Sequence, residues 1–178
     1  MSQLSSSSLP GISRTGKPNI RRATIKDLRP MVRIWVDAVQ IGMGLTPPSS
    51  SDVVDTFQKR LESQSSSYGH WVAEVDGAVA GWQGLLPCRP SPMMRWAESG
   101  TYVSMQHVGQ GIPEALIRFA TEHSKSTDLT HLVGFLSARN DAMIRLVESC
   151  GWQKVGNVPR AKPSDPEYLY YIYLVPQR

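Results

Sequence analysis

Residues 106–116, QHVGQGIPEAL, place two glycines two positions apart, directly before an apolar helical pattern. The apolar residues after this turn recur at helical spacing and predict a helix with one buried face. They are Ile112, Ala115, Leu116, Phe119 and Ala120. A helix start offers unpaired N–H groups and a partial positive charge, and glycines let the backbone approach a ligand closely. The stretch therefore predicts either an anion-binding turn or a turn that only reverses the chain.

Three phosphate-binding patterns compete for this turn. A dinucleotide-binding fingerprint needs a third glycine where Glu114 stands, and a P-loop needs a Gly-Lys-Ser/Thr run that the sequence lacks. The third pattern, Gln/Arg-x-x-Gly-x-Gly between a strand and a helix, is complete from Gln106 to Gly111. A pyrophosphate at such a helix start is stabilised by several contacts, each contributing roughly 0.3–1 kcal/mol. The predicted strand before the turn and the buried helix after it favour the ligand-binding interpretation.

The rest of the chain predicts an α/β domain around this turn. The predicted order is strand, two helices, three strands, helix, strand, helix and strand, with a largely antiparallel start and a later strand–helix–strand unit. Asp76-Gly77 supplies the residues of a tight hairpin turn. Ser51 or Asp52 is the expected cap of the second helix, and the last helix is expected to begin at Asn140 and end at Gly151. The residues expected on the apolar side of the second helix are Val54, Phe57 and Leu61.

Composition limits the classes of function. The 178 residues, 40% of them apolar, suffice for one domain, expected over residues 19–178 after a flexible serine-rich segment at 1–18. A net charge of +4 fits a phosphate-bearing ligand, but the basic residues are too scattered to predict nucleic-acid binding. Cys88 and Cys150 follow no metal-binding or disulfide pattern, so no metal site is predicted. Because the sequence shows no signal-peptide pattern and no membrane-spanning apolar run, we expect a cytoplasmic protein.

Four segments between residues 19 and 175 share their order and residues with one known family. The segments are IRRAT at 20–24, WVAEVDGAVAG at 71–81, AESGTYVSMQHVGQG at 97–111 and NDAMIRLVESCGW at 140–152. Together they resemble the GNAT superfamily of N-acyltransferases, and within it the phosphinothricin N-acetyltransferase group. The resemblance implies a mixed, mostly antiparallel central sheet flanked by helices. It also implies acetyl-CoA (coenzyme A) as cofactor and, by analogy, a homodimer.

The resemblance also assigns roles to individual residues. Glu98 would be the general base that takes a proton from the attacking amine. The strand after it would line the pantetheine arm of the cofactor with its backbone, and the amides of the glycine turn would hold the diphosphate. The implied cofactor-binding residues are Thr101, Tyr102, Val103, Val108, Gly109, Gln110, Gly111, Ile112 and Pro113. Asn140 would also contact coenzyme A, although the residue type and position favour a helix N-cap.

Three features depart from the family pattern. Pro113 has no N–H, which removes one phosphate contact. Val147 stands where relatives carry a tyrosine or histidine that protonates the leaving thiolate, and valine cannot donate a proton. The replacements left open are Cys150, Tyr168, Tyr170, Tyr171 and Tyr173. The segment RPSPMM at 89–94 replaces a more basic one, so we expect a less anionic or bulkier acceptor than phosphinothricin. The expected substrate contacts are Arg89, Met94 and Trp96.

The sequence thus predicts an N-acetyltransferase that moves an acetyl group from acetyl-CoA to the amine of a small molecule. The acceptor would be an amino acid or a similar compound, attacking directly with Glu98 as general base. The same chemistry allows a second interpretation, acetylation of an amine-bearing antibiotic or toxin in resistance or detoxification. A third interpretation is a protein that binds acyl-CoA without turnover, which Val147 and Pro113 keep open. The expected partners are small molecules and a second subunit, with neither nucleic acid nor membrane.

Overall fold

A computed structural model of the chain describes residues 17–42, 45–88 and 95–177. Seven strands within these ranges form one mixed sheet: β1 (Asn19–Arg22), β2 (Gly69–Val75), β3 (Ala78–Pro87), β4 (Trp96–Val103), β5 (His131–Ser137), β6 (Gln153–Val158) and β7 (Tyr168–Leu174). The α-helices are α1 (Leu28–Asp37), α2 (Ser50–Glu62), α3 (Ile112–Ser124) and α4 (Asp141–Ser149). Across the sheet the strand order is β1-β2-β3-β4-β5-β7-β6. Most of the segment predicted to be flexible, residues 1–16, lies outside the described residues.

Neighbouring strands in the described sheet pair antiparallel, with one exception. β4 and β5 run parallel and pair over three positions, from Trp96 opposite His131 to Glu98 opposite Val133. Beyond Glu98 the two strands separate, although each continues for several residues. The predicted mixed, mostly antiparallel sheet is confirmed, and its parallel junction opens into a wedge-shaped gap.

The helices cover the two faces of the sheet unequally. Val72 packs in one core with α1 and α2, and Trp71 packs in another with α3 and α4. Because adjacent residues of a strand point to opposite faces, the two pairs of helices lie on opposite faces of the sheet. On the α1–α2 side, the part of the sheet formed by β5 and β7 leaves Phe135 51% and Leu174 55% exposed. No helix within the described ranges is long and apolar enough to cross a membrane.

Local sequence signals fix the elements at the N-terminal side. The N–H of Thr24 donates to the Asp27 carboxylate over 2.8 Å, which closes the turn that leads into α1. Arg21 donates to the same carboxylate over 2.8 and 2.9 Å and to Glu74 over 2.8 Å, so one guanidinium joins β1, this turn and β2. The predicted hairpin turn is confirmed, because Asp76 and Gly77 both have positive φ, 51° and 78°.

One predicted detail of the elements is wrong, and two are incomplete. Ser49, and neither Ser51 nor Asp52, caps α2: its side chain accepts a hydrogen bond from the N–H of Asp52 over 3.3 Å. The buried row of α2 is Val53, Phe57 and Leu61, spaced four apart, and Val54 is only partly buried beside it. The prediction also missed β6, an edge strand with mostly exposed residues. Such a strand buries little apolar surface, so its sequence lacks the alternation that marks a half-buried strand.

Candidate active site

The gap between β4 and β5 holds a cavity of about 370 Å³. Its walls come from the diverging ends of both strands, from α3 and α4, and from β7. Within these described strands, the backbone groups of β4 that face β5 beyond Glu98 have no strand partner there. At Gly134 on β5 the gap is closely bordered, since a Cβ there would lie 3.4 Å from the Trp152 ring and 3.6 Å from the Ser99 carbonyl oxygen. Unpaired backbone along an open cavity is suited to bind an extended ligand as an added strand would.

The glycine turn connects β4 to α3 at the open end of this gap. Gly109 and Gly111 have φ of 81° and 73°, and Gly111 is the N-cap of α3. A Cβ on either glycine would meet no atom of the described protein within 4 Å. The space beside each glycine is therefore not filled by protein packing. In the described part of the chain, neither glycine N–H donates to a protein acceptor. Ile112, 1% exposed, anchors the helix start, and Pro113 follows it in the first turn.

Glu98 stands between two cavities. It lines the gap described above and also a second cavity of about 410 Å³, which is bounded by the end of α2 and the adjoining ends of β2 and β3. Arg60, Gln64 and Tyr68 line this second cavity, and Arg60 and Glu98 are its charged residues within the described chain. A carboxylate shared by two adjoining cavities can act on groups that enter from both sides.

A buried polar network holds the part of β4 that borders the gap. Gln83 is fully buried on β3 and donates to the Ser99 hydroxyl over 2.8 Å and to the Gly84 carbonyl over 2.9 Å. The Thr101 hydroxyl in turn donates to the Gln83 carboxamide oxygen over 2.6 Å. Because every polar atom of Gln83 is paired, the network fixes Ser99 and Thr101 without competing for the backbone groups that face the gap. Sequence reasoning missed Gln83, since a lone glutamine in an apolar strand carries no chemical signal.

Of the remaining predicted cofactor residues, Tyr102 lines the gap, whereas Val103, Val108, Gln110 and Asn140 are not among its lining residues. Tyr102 continues β4 and lines the cavity. Val108 is exposed beside the glycine turn. Asn140 is the N-cap of α4, where its side-chain oxygen accepts from the N–H of Met143 over 3.1 Å. The cap is thus confirmed, and a contact of Asn140 with coenzyme A stays a prediction. Val147 lines the cavity with an aliphatic side chain, 5% exposed.

Of the three predicted substrate contacts, Trp96 alone lies in the part of the chain that the structure describes. Arg89 and Met94 lie outside the described residues. Trp96 packs on His131 with 4.3 Å between ring centroids, at the start of β4. Among the described residues it lines neither of the two cavities, so its substrate role stays a prediction.

A mixed sheet that opens between two parallel strands beside a glycine turn matches one family of domains. The model of the acetyltransferase (GNAT) domain matches residues 19–153, and the chain belongs to this family. Rat (Rattus norvegicus) N-acetyltransferase 8 is 32% identical over 108 residues, which cover 60% of this chain and 48% of the relative. The chain thus spans about half the length of this relative.

Two further comparisons cover more of the chain. Phosphinothricin N-acetyltransferase of Streptomyces viridochromogenes is 26% identical over 146 residues, 80% of this chain and 78% of the relative. The crystal structure of a GNAT superfamily phosphinothricin acetyltransferase from Sinorhizobium meliloti, in complex with AcCoA, superposes with a TM-score of 0.78 at 21% identity. That match covers 90% of this chain and 89% of the other. At this identity the similarity shows the shared fold.

Proposed function

We propose that this protein is an acetyl-CoA-dependent N-acetyltransferase that acts on the amine of a small, amino-acid-like molecule. The observation that carries the proposal is the open gap beside Glu98, which leads from an unpaired strand edge to a glycine turn at a helix start. Acetyl-CoA supplies the activated acetyl group. The family membership and the neighbour in complex with AcCoA support this choice of cosubstrate.

The site residues fit this cosubstrate. A diphosphate needs N–H donors and room for its oxygens, and the turn at Gly109 and Gly111 offers both. The pantetheine arm needs backbone partners in an extended groove, which β4 offers beyond Glu98. Met143 and Val147 form an apolar wall beside it. Pro113 donates no hydrogen bond, so the N–H groups before it carry the phosphate contacts.

The second cavity is the acceptor side of the proposed site. Arg60 would bind an anionic end of the acceptor, and Glu98 would accept a proton from its amine, directly or through a water. An α-amine with a pKa of about 8 is already partly neutral near neutral pH, whereas a lysine-like amine with a pKa of about 10.4 costs several kcal/mol to deprotonate. Orientation of an α-amine between Arg60 and Glu98 therefore contributes at least as much as proton removal.

Isothermal titration calorimetry with coenzyme A tests the cofactor site through a matched pair of glycine variants. Gly111→Ala and Gly77→Ala place a side chain at nearly the same positive φ, 73° and 78°, with no protein atom within 4 Å of either Cβ. Both variants should lose a similar stability, about 1–2 kcal/mol. Only Gly111→Ala should weaken coenzyme A binding, by about 10-fold, because it intrudes on several charge–dipole contacts. Equal affinity in both variants would place the nucleotide elsewhere.

A turnover assay distinguishes an enzyme from a protein that binds acyl-CoA without turnover. Val147 favours this second alternative, because it cannot donate a proton. The assay measures thiol release from acetyl-CoA with a panel of amino acids, their amides and the amine-bearing antibiotic phosphinothricin. Release with at least one amine supports the enzyme, and best turnover on phosphinothricin would support the resistance interpretation. Binding without release across the panel would support the non-enzyme.

Native mass spectrometry of the same protein reports the bound acyl group and the subunit number. We propose a homodimer, supported by the exposed side chains Phe135 and Leu174 on the uncovered part of the sheet. A monomeric mass at micromolar concentration would overturn it.

A further inference from the structure

The proposed reaction leaves a thiolate that needs a proton, and Val147 cannot supply one. The structure narrows the five replacements that the sequence left open. Tyr168 and Tyr171 line the gap beside Val147, whereas Cys150, Tyr170 and Tyr173 do not. The Tyr171 hydroxyl is buried and donates to the Glu148 carboxylate over 2.7 Å. Its proton is therefore already engaged outside the gap.

A third phenol in the gap, Tyr102, has a more defined position. Glu98, Gly100 and Tyr102 alternate along β4 and point to the same face of the sheet. A Cβ on Gly100 would lie 3.0 Å from Cε2 and 3.6 Å from the hydroxyl oxygen of Tyr102. The ring therefore lies back over Gly100, in the direction of Glu98, and the lack of a side chain at residue 100 makes this position available.

Two tryptophan side chains neighbour Tyr102. The ring stacks on Trp82 with 4.4 Å between centroids and 26° between planes. The Trp82 indole N–H is itself fixed by a 3.1 Å hydrogen bond to the Met31 carbonyl. The Trp35 indole neighbours the Tyr102 hydroxyl and lowers its pKa. Because an indole N–H only donates, Trp35 does not compete for the hydroxyl proton of Tyr102.

The electrostatic surroundings keep this phenol protonated. Burial is the largest influence and raises the pKa of Tyr102 above its ordinary value. The negative charge of Glu98 raises this pKa further, whereas Trp35 and Arg60 lower it to a smaller extent than burial raises it. At neutral pH, Glu98 is thus accompanied by a neutral proton donor on the same face of the same strand.

We propose that Tyr102 is the general acid of this acetyltransferase and donates its hydroxyl proton to the sulfur of the leaving thiolate. The inference rests on the proposed function. As the amine nitrogen bonds to the acetyl carbon, the carbon–sulfur bond breaks and its electron pair passes to sulfur. Glu98 takes a proton from the nitrogen, and sulfur takes the proton of Tyr102. Proton transfer from Glu98 to the Tyr102 phenolate, directly or through water, then restores both groups, so the balance is amine plus thioester to amide plus thiol.

Tyrosine-to-phenylalanine variants test this role with acetyl-CoA and the best amine from the panel. Tyr102→Phe should lower kcat by about 10²-fold, the usual contribution of a general acid. Tyr173→Phe removes a phenol that lies outside the gap and is the matched control, with unchanged kcat. A loss of kcat in Tyr168→Phe together with full activity in Tyr102→Phe would overturn the proposal and move the role to β7.

A binding measurement separates proton donation from a structural role. A phenol that donates to sulfur stabilises bound thiolate, so Tyr102→Phe should weaken coenzyme A binding by about 10-fold at about pH 9, where the free thiol ionises, and leave it unchanged at about pH 7. An equal effect at both pH values would overturn the proposal in favour of a packing role. Calorimetry reads this result without turnover.

Gly100→Ala offers a second variant that keeps the phenol but displaces it. The added methyl group would press on Tyr102, so kcat should fall while coenzyme A affinity at neutral pH persists. Gly156→Ala on β6, where a Cβ meets no protein atom within 4 Å, is its control. Unchanged kcat in Gly100→Ala would argue against the assigned position. Failure of the wild-type protein to turn over any amine would instead reject the proposed function itself.

Discussion

His70 should make the free energy of unfolding of this protein depend on pH between about 4 and 6.5. Its side chain is 1% exposed on β2, between the rings of Phe57 at 6.3 Å and Trp82 at 5.6 Å, and neither ring nitrogen has a hydrogen-bond partner among the described residues. Burial, followed by the positive charges of Arg60 on α2 and Arg22 on β1, lowers the pKa of His70 from 6.5 to about 4.

The sign and size of the effect follow from this pKa. The unfolded chain binds a proton at His70 below pH 6.5, whereas the folded chain does so only below about 4. The contribution of neutral His70 to the free energy of unfolding is therefore fully present above pH 6.5. This contribution is lost as pH falls from 6.5 to about 4, and it stays lost at lower pH. At about 1.4 kcal/mol per pH unit, this interval corresponds to about 3 kcal/mol at most.

Urea unfolding followed by tryptophan fluorescence at several pH values across this interval measures the effect. His70→Phe removes the titrating group and leaves an aromatic ring between two others, so the free energy of unfolding should depend less on pH between about 4 and 6.5 by up to about 3 kcal/mol. His123→Gln is the control, because His123 is less buried and its lowered pKa should contribute a smaller slope of the same sign. If the pH dependence of His70→Phe equals that of the wild type, the assigned burial of a neutral imidazole is wrong.

Three further predictions concern single charged residues. Glu98→Gln should lower kcat by about 10²- to 10⁴-fold and leave coenzyme A affinity unchanged in calorimetry, and an unchanged rate across the pH profile would refute its role as base. Arg60→Gln should raise the KM for a carboxylate-bearing acceptor by about 10-fold but not the KM for the matching amide, as steady-state kinetics would show. Asp27→Asn should lower the free energy of unfolding by about 1–3 kcal/mol in urea, since Arg21 loses its bidentate partner. Asp55→Asn on the exposed side of α2 should change it by less than about 0.5 kcal/mol, and equal losses would contradict the reasoning.

The features predicted correctly from sequence are those that local backbone chemistry determines. Gly109, Gly111 and the hairpin pair Asp76-Gly77 were identified because positive φ strongly favours glycine or a short polar residue, and all four take positive φ. Asn140 was identified because a helix N-cap needs a side-chain oxygen. These signals depend on a few consecutive residues, so they can be interpreted without the tertiary structure.

The features that sequence reasoning missed depend on contacts between distant segments. The cap of α2 required a choice among adjacent polar residues, and only the helix geometry shows that Ser49 reaches the N–H of Asp52. The acceptor-side charge of Arg60 becomes apparent only when the end of α2 is placed beside β4. Similarly, Gln83 acquires a role only because β3 places it opposite Thr101.

Val147 shows why the chemistry of a site should be assigned to a cavity rather than to a position in a motif. The sequence indicates a missing proton donor at Val147 and leaves Cys150 and the C-terminal tyrosines as possible replacements. In the folded chain, α4 and β4 face the same gap from different sides, so a donor lost from the helix can be replaced from the strand. Tyr102 meets this requirement because Gly100 leaves room for its ring, whereas Tyr171 lines the same gap but donates its proton to Glu148. The surroundings of each phenol therefore decide which one can act as an acid.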